Sequence, residues 1–251
     1  MIKTWNDLSL SINPVIFAVE RLGFVPDEWQ TRVLAWSGNR LLMNCSRQSG
    51  KSTVTAILAL HRALYREDAL ILLVSPSLRQ STELFRKVLA FKNHLQKPPA
   101  LVEDNRLSIQ FETGSRIVSL PSNEATIRGF SGPDLIIEDE ASRVDDELYF
   151  ALRPMLAVSA GQMVLLSTPH GKRGHFHQGW SAGGSDWERV LVTALDCPRI
   201  SAAFLEEERR ALGDHFFSQE YLCEFRDTLD QIFSSVLISK ALTRDVKPLF
   251  P

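Results

Sequence analysis

The sequence has little that would place it outside the cytosol. Its three cysteines, Cys45, Cys197 and Cys223, are far apart. They form no CxxC pair and have no zinc-ligand spacing to the six histidines, and an odd, sparse count suits a reducing compartment. Long apolar runs are missing too. The longest, such as Ala69 to Val74, are far too short to cross a bilayer, and Met1 to Val15 has no signal-peptide core. No membrane partner is expected, and the expected location is cytoplasmic. Neither sign of charge dominates: 28 Lys and Arg face 30 Asp and Glu, a net charge of -2. A bound polyanion would therefore have to meet a local basic patch. Internal repeats, charged tails and low-complexity tracts are absent. With 44% hydrophobic and 23% charged residues, the 251-residue chain reads as globular, one large domain or one with a smaller appendage.

What is there alternates between strands and helices. Leu41 to Cys45 is a short apolar strand running into Ser46-Arg47-Gln48-Ser49-Gly50-Lys51-Ser52. Lys51 to Tyr65 has helical periodicity, and Ala69 to Val74 reads as a buried strand ending at Ser75-Pro76. A helix is expected over Leu78 to Leu95. Leu107 to Phe111 and Arg116 to Leu120 alternate around Glu112-Thr113-Gly114-Ser115, the pattern of a hairpin. Asp134 to Asp139 and Gln162 to Ser167 are further apolar strands, with a helix over Asp145 to Val158 between them. Arg189 to Thr193 fits a last strand. Ser201 caps a helix ended by Gly213, and Asp214 starts another through about Arg226. The acidic-basic run Glu206 to Arg210 reads as a solvated helix face. This alternation predicts a mainly parallel sheet with helices on both faces.

Two stretches carry chemistry. Gly50-Lys51-Ser52 between strand and helix has the context of a phosphate loop. Backbone N–H groups and the helix N-terminus would cradle phosphate, Lys51 would reach the β and γ oxygens, and Ser52 would complete a Mg²⁺ shell. Cys45 stands where the usual motif has its first glycine, so a plain turn is the competing account. The second stretch is Asp134 to Glu140, an apolar strand with carboxylates at its C-terminal end, where a parallel sheet gathers its ligands. Asp139 is expected to hold Mg²⁺ and Glu140 to orient and deprotonate the attacking water. An acidic helix start is the alternative account. Strand alternation turns Glu138 away from Asp139, as a satisfied polar residue or, alternatively, a group with a metal or coupling role.

In order and spacing these residues resemble the ATPase motor domain of bacteriophage terminase large subunits, from about Phe24 to Phe233. The loop Ser46 to Ser52, with Arg-Gln inside it and no first glycine, is similar to that family's phosphate loop. So are Phe24 to Gln30, Val74 to Ser81, Ile127-Arg128-Gly129, Leu166 to Gly171 and Phe217 to Phe225 to its other motifs. The resemblance implies an α/β P-loop NTPase of the ASCE type, with a core over 1–195 and a small, mostly helical subdomain or linker over 196–251. The core includes an adenine-binding segment over about 1–38. It implies ATP and Mg²⁺ as cofactors, with nucleotide contacts from Gln30, Ser46, Arg47, Gln48, Ser49, Gly50, Lys51, Ser52 and Thr53. Gln30 offers an amide edge that suits adenine, and Trp29 stacks or packs in the core. Arg47 can reach the γ-phosphate in cis or make a surface ion pair. Arg128 is implied as an arginine finger acting in trans, contributing roughly 10³ or more in rate; local pairing with the acidic strand is the alternative. Thr168, in Ser167-Thr168-Pro169, is implied in coupling hydrolysis to movement, against a simple strand-ending turn. His170, His175 and His177 read as loop histidines.

The implied partners are double-stranded DNA, a homo-oligomeric ring on the procapsid portal, and the small terminase subunit. DNA contacts would be to phosphates and salt-dependent, with Arg79, Arg86, Lys87, Lys172 and Arg173 as candidates. Full terminase large subunits carry a nuclease domain for which nothing after Phe233 has room, so no DNA cutting is expected. The competing functions are a superfamily 2 helicase-like ATPase, a non-catalytic P-loop protein and a small-molecule kinase. The helicase lacks chain for a second RecA-like domain. The non-catalytic reading conflicts with the presence of Lys51, Ser52, Asp139 and Glu140. Glu140 beside Asp139 argues against the kinase.

Overall fold

A computed structural model describes residues 5–121, 127, 129–227, 233 and 235–242. Its centre is an eight-stranded sheet in the order β3-β4-β5-β2-β6-β7-β1-β8. The strands are β1 (Arg40–Cys45), β2 (Leu70–Ser75), β3 (Leu101–Asp104), β4 (Ser108–Phe111), β5 (Arg116–Pro121), β6 (Leu135–Asp139), β7 (Gln162–Ser167) and β8 (Glu188–Val192). From β5 to β8 every pairing is parallel, and only β3 and β4 run antiparallel to their neighbours. Parallel strands need crossovers that cover both faces, which is why β1, β2, β6 and β7 are almost continuously apolar and buried.

Side-chain alternation divides the core. Leu41, Met43, Ile71, Leu73, Ile137, Val164 and Leu166 face one layer. That layer is built from α1 (Trp5–Ile12), α2 (Pro14–Leu22), α3 (Glu28–Leu34), α4 (Lys51–Tyr65) and α5 (Leu78–His94). Leu42, Leu72, Val74, Ile136, Met163 and Leu165 face the other, with Leu148, Leu152 and Phe176. That side carries α6 (Asp146–Leu152), α7 (Leu156–Ser159) and α8 (Gly174–Ala182). Fully burying one such side chain is worth about 1.5–3 kcal/mol, so the layers together dominate stability. A third, smaller cluster joins Ala194, Leu205, Phe217 and Tyr221 beneath α9 (Ala202–Glu220). A last helix, α10, spans Ser235–Ala241. Among the described residues, no helix is long and apolar enough to cross a membrane.

The expected α/β architecture is present, with local corrections. The expected helix over Asp145 to Val158 breaks into α6, a 3₁₀ turn at Arg153–Met155, and α7. Pro154 has no N–H to continue the ladder, and its ring crowds the carbonyl four residues back. The hairpin pairs Ile109 with Ile117, but β3 adds a third strand on its far side. As expected, Gly213, with φ 74° and ψ 162°, divides α9 into two helices meeting at a kink, but the second ends at Glu220 rather than near Arg226. His175 and His177 lie on α8, not in a loop, because Gly174 (φ 76°) turns the chain into that helix.

Candidate functional site

The sheet order places β7 between β1 and β6, all parallel, so the three strands end side by side. β1 ends at Cys45, and the chain passes through Gln48 (φ 59°) and Gly50 (φ 95°) into α4. Only glycine takes φ 95° without strain. A Cβ at Gly50 would also stand 2.9 Å from the Gln30 amide nitrogen. Because α4 opens on Lys51, its leading N–H groups and positive dipole end face the loop mouth, while Thr53 and Val54 already bond the Gly50 carbonyl. Inside the loop the Ser49 hydroxyl donates to the Ser46 carbonyl at 2.9 Å, and both residues are buried. Burial pushes the Cys45 thiol up to about 12, so this residue serves as an apolar plug beneath the loop.

β6 delivers its carboxylates to the same place. Ser52 Oγ donates to Asp139 Oδ2 at 3.2 Å, and Lys51 Nζ lies 3.5 Å from Glu140 Oε1. Burial first, then the neighbouring Glu140, pushes Asp139 up to about 6, and Lys51 and Ser52 offset this only in part. A buried carboxylate short of positive charge beside a serine hydroxyl is a donor set that suits a hard divalent cation, so Ser52 and Asp139 fit Mg²⁺. Glu140 sits in the left-handed region (φ 54°), a conformation that costs energy outside glycine and asparagine and that clusters at functional sites. Its own N–H donates to Asp139 Oδ1 at 3.0 Å. Its other oxygen accepts from Ser167 Oγ at 3.4 Å. Ser142 stands 2.7 Å from the Ser167 hydroxyl and donates to the Thr168 carbonyl at 2.8 Å. The hydroxyl at the tip of β7 that reaches Glu140 is thus that of Ser167, while Thr168 is buried beside it.

The remaining expected residues divide. Gln30 is buried against Gly50 with its amide oxygen accepting from the Asp27 N–H at 2.9 Å. Trp29 packs against the core. Arg47 turns toward the end of α9: its guanidinium bonds the Glu220 carboxylate, its N–H donates to the Glu220 carbonyl, and the pairing raises its pKa. Arg128 lies outside the described residues. Arg79 and Lys87, considered as DNA contacts, line a cavity of about 190 Å³ together with Ser52, Asp139 and Glu140. Lys172 pairs with Asp227 at 3.1 Å, and Arg86 with Glu83 at 2.7 Å.

Sequence reasoning missed three features. Arg199 bridges Asp27 and the Ser49 carbonyl. Glu220 anchors Arg47 and lies 3.8 Å from Arg143. His175, buried with Glu138, joins that residue to the partly exposed Asp146 behind the acidic strand end. Each is a pairing across more than 25 residues, and local pattern carries no signal for it.

Residues 42–240 match the family described as terminase large subunit, T4likevirus-type, N-terminal. The chain is 27% identical over 209 residues to the terminase large subunit of Escherichia phage T5, covering 78% of this chain and 46% of that protein. The fold superimposes on the large terminase ATPase domain of Thermus phage P74-26 with a TM-score of 0.75 at 22% identity, covering 85% of this chain and 99% of that one. It also matches the large terminase of a thermophilic bacteriophage in complex with ATP-gamma-S, TM-score 0.63 at 14% identity, covering 79% and 52%. The chain spans about half the length of the curated relatives it matches.

Proposed function

The chain belongs to the T4likevirus-type terminase large subunit family, and from that premise we propose that it is an ATPase motor, hydrolysing ATP to drive double-stranded DNA into a procapsid. The observation that carries this reading is the meeting of two strand ends: Lys51 and Ser52 from β1–α4 with Asp139 and Glu140 from β6. Lys51 and the N–H groups opening α4 bind the triphosphate. Gln30, held against the loop, reads the adenine edge. Mg²⁺, held by Ser52 and Asp139, would supply charge neutralisation on the phosphate oxygens. Glu140, fixed by Ser167 and poised beside Lys51, takes the proton of the attacking water. Ser167 connects Glu140 to the Ser142–Thr168 corner, which gives hydrolysis a route to move β7 and the loop after it. Arg128 would act in trans between subunits of a ring on the portal, with the small terminase subunit as a further partner. A superfamily 2 helicase is the less favoured reading, because the family match goes to terminases.

The test is phosphate release from Mg-ATP by the purified protein, with and without linear duplex DNA, over a range of protein concentration. Turnover should appear, rise with concentration, and lose that rise in Arg128→Ala. Absence of any ATP binding or turnover would overturn the reading. A concentration-independent rate indifferent to Arg128→Ala would remove the action in trans.

A further inference from the structure

Arg199 lies in the short segment between the 3₁₀ turn Ala194–Asp196 and α9, far in sequence from every motif of the site. Its guanidinium nonetheless closes on two of them. Nη1 stands 2.9 Å from one Asp27 oxygen and 2.7 Å from the other. Nη2 donates to the Ser49 carbonyl, inside the phosphate loop, at 3.0 Å. Asp27 is in turn the residue whose N–H holds the Gln30 amide oxygen, and the Gln30 nitrogen rests over Gly50. Arg199 Nη2 closes over the same glycine, 3.7 Å from where a Cβ would stand.

The ring of contacts is therefore Arg199, Asp27, Gln30, Gly50, Ser49 and back to Arg199. A planar fork with several fixed donors can span a carboxylate and a carbonyl at once, which a lysine ammonium on a flexible stem cannot do in the same geometry. We infer that Arg199 is a positioning residue that locks the base-reading segment to the phosphate loop, so that discrimination for adenine over other nucleobases depends on it. This rests on the ATPase reading above and names what sets its base selectivity. Phosphate binding itself should depend little on Arg199, because Lys51 and the N–H groups opening α4 supply it without Asp27 or Gln30.

The experiment compares the unsubstituted protein with Arg199→Ala, Arg199→Lys and Asp27→Asn. Steady-state KM and kcat are measured for Mg-ATP and Mg-GTP, along with inhibition by inorganic tripolyphosphate, which has phosphates and no base. Arg199→Ala should raise KM for ATP about tenfold, the size expected for loss of charge-assisted hydrogen bonds. It should keep kcat within about threefold, bring the ATP-to-GTP preference close to unity, and leave tripolyphosphate inhibition within about twofold. Arg199→Lys should recover little of the preference. Should Arg199→Ala not fold, Asp27→Asn carries the same readings, because it keeps the Ser49 contact and weakens only the link to the base segment. The inference is overturned if the preference for ATP survives both substitutions, or if tripolyphosphate inhibition weakens in step with KM for ATP. It also fails if the unsubstituted protein hydrolyses ATP and GTP alike, although the ATPase reading then stands. A protein that neither binds nor hydrolyses ATP sinks that reading first.

Discussion

Glu138 and Asp139 are neighbours on one strand, both buried, and they face opposite sides of the sheet. Glu138 meets its counter-charge within the chain. His175 Nε2 lies 2.6 Å from it, and His175 Nδ1 lies 3.0 Å from Asp146. Burial works against a charged imidazole, but the two carboxylates outweigh it and raise the His175 pKa, while Tyr149 stacks on the ring at 4.4 Å. Asp139 faces the phosphate loop, and Lys51 and Ser52 do not cancel its burial beside Glu140, so it is left near 6. The lesson is about where positive charge comes from. On the Glu138 side the fold supplies it, and the cluster is scaffold. On the Asp139 side it is left unsupplied within the chain, and that shortfall is what supports placing the proposed site there.

Substitutions on the two sides should therefore move different observables. The largest effect is expected at Glu140. Glu140→Gln should cut hydrolysis by roughly 10²–10⁴ while ATP binding and the unfolding midpoint stay as they were; substantial residual turnover removes the base assignment. On the opposite side, His175→Ala leaves Glu138 buried without a partner. It should cost about 3–5 kcal/mol in urea unfolding, and Glu138→Gln added to it should return a large part. If the double substitution is no more stable than the single one, the pair is not what holds this layer. Lys51→Ala should weaken nucleotide binding by roughly tenfold to a hundredfold with little change in stability, read by calorimetric titration.

The smallest effect separates two buried histidines. His61, on the α4 side, stacks edge-on with Phe17, and its Nε2 lies 2.9 Å from the Leu10 carbonyl. Burial lowers its pKa from 6.5 to about 4. Between those values the unfolded chain binds the proton and the native one does not, so stability from this group falls as pH drops below about 6.5. From pH 7 to 5 the loss should be about 1–2 kcal/mol, and His61→Gln should remove it. His175 runs the other way: its raised pKa contributes fully below its unfolded value and is lost as pH climbs through the folded one. Finding the same pH trend in both variants would break the comparison between the two layers.

How much of this was legible beforehand follows from the range of each interaction. Lys51–Tyr65 and Gln162–Ser167 begin and end where the sequence reading placed them, because apolar periodicity, Gly50 and the Thr168-Pro169 stop are all local. Alternation along β6 likewise foretold that Glu138 turns its back on Asp139. Pro154 was visible in the sequence, but periodicity was read through it. β3 went unseen because Leu101–Asp104 is a mostly exposed edge strand with little apolar pattern to show. The partners of Arg199, Arg47 and Glu138 were not readable at all, since they come from segments brought together only by strand order.

The cysteines that said so little at the start have a practical consequence. Cys45, Cys197 and Cys223 are all at least nine-tenths hidden, and burial holds each thiol in its protonated form. The native protein should therefore be nearly silent toward maleimide dyes. One cysteine introduced on an exposed helix position would give a singly labelled protein, fit for single-molecule measurement without first stripping out its own sulfur.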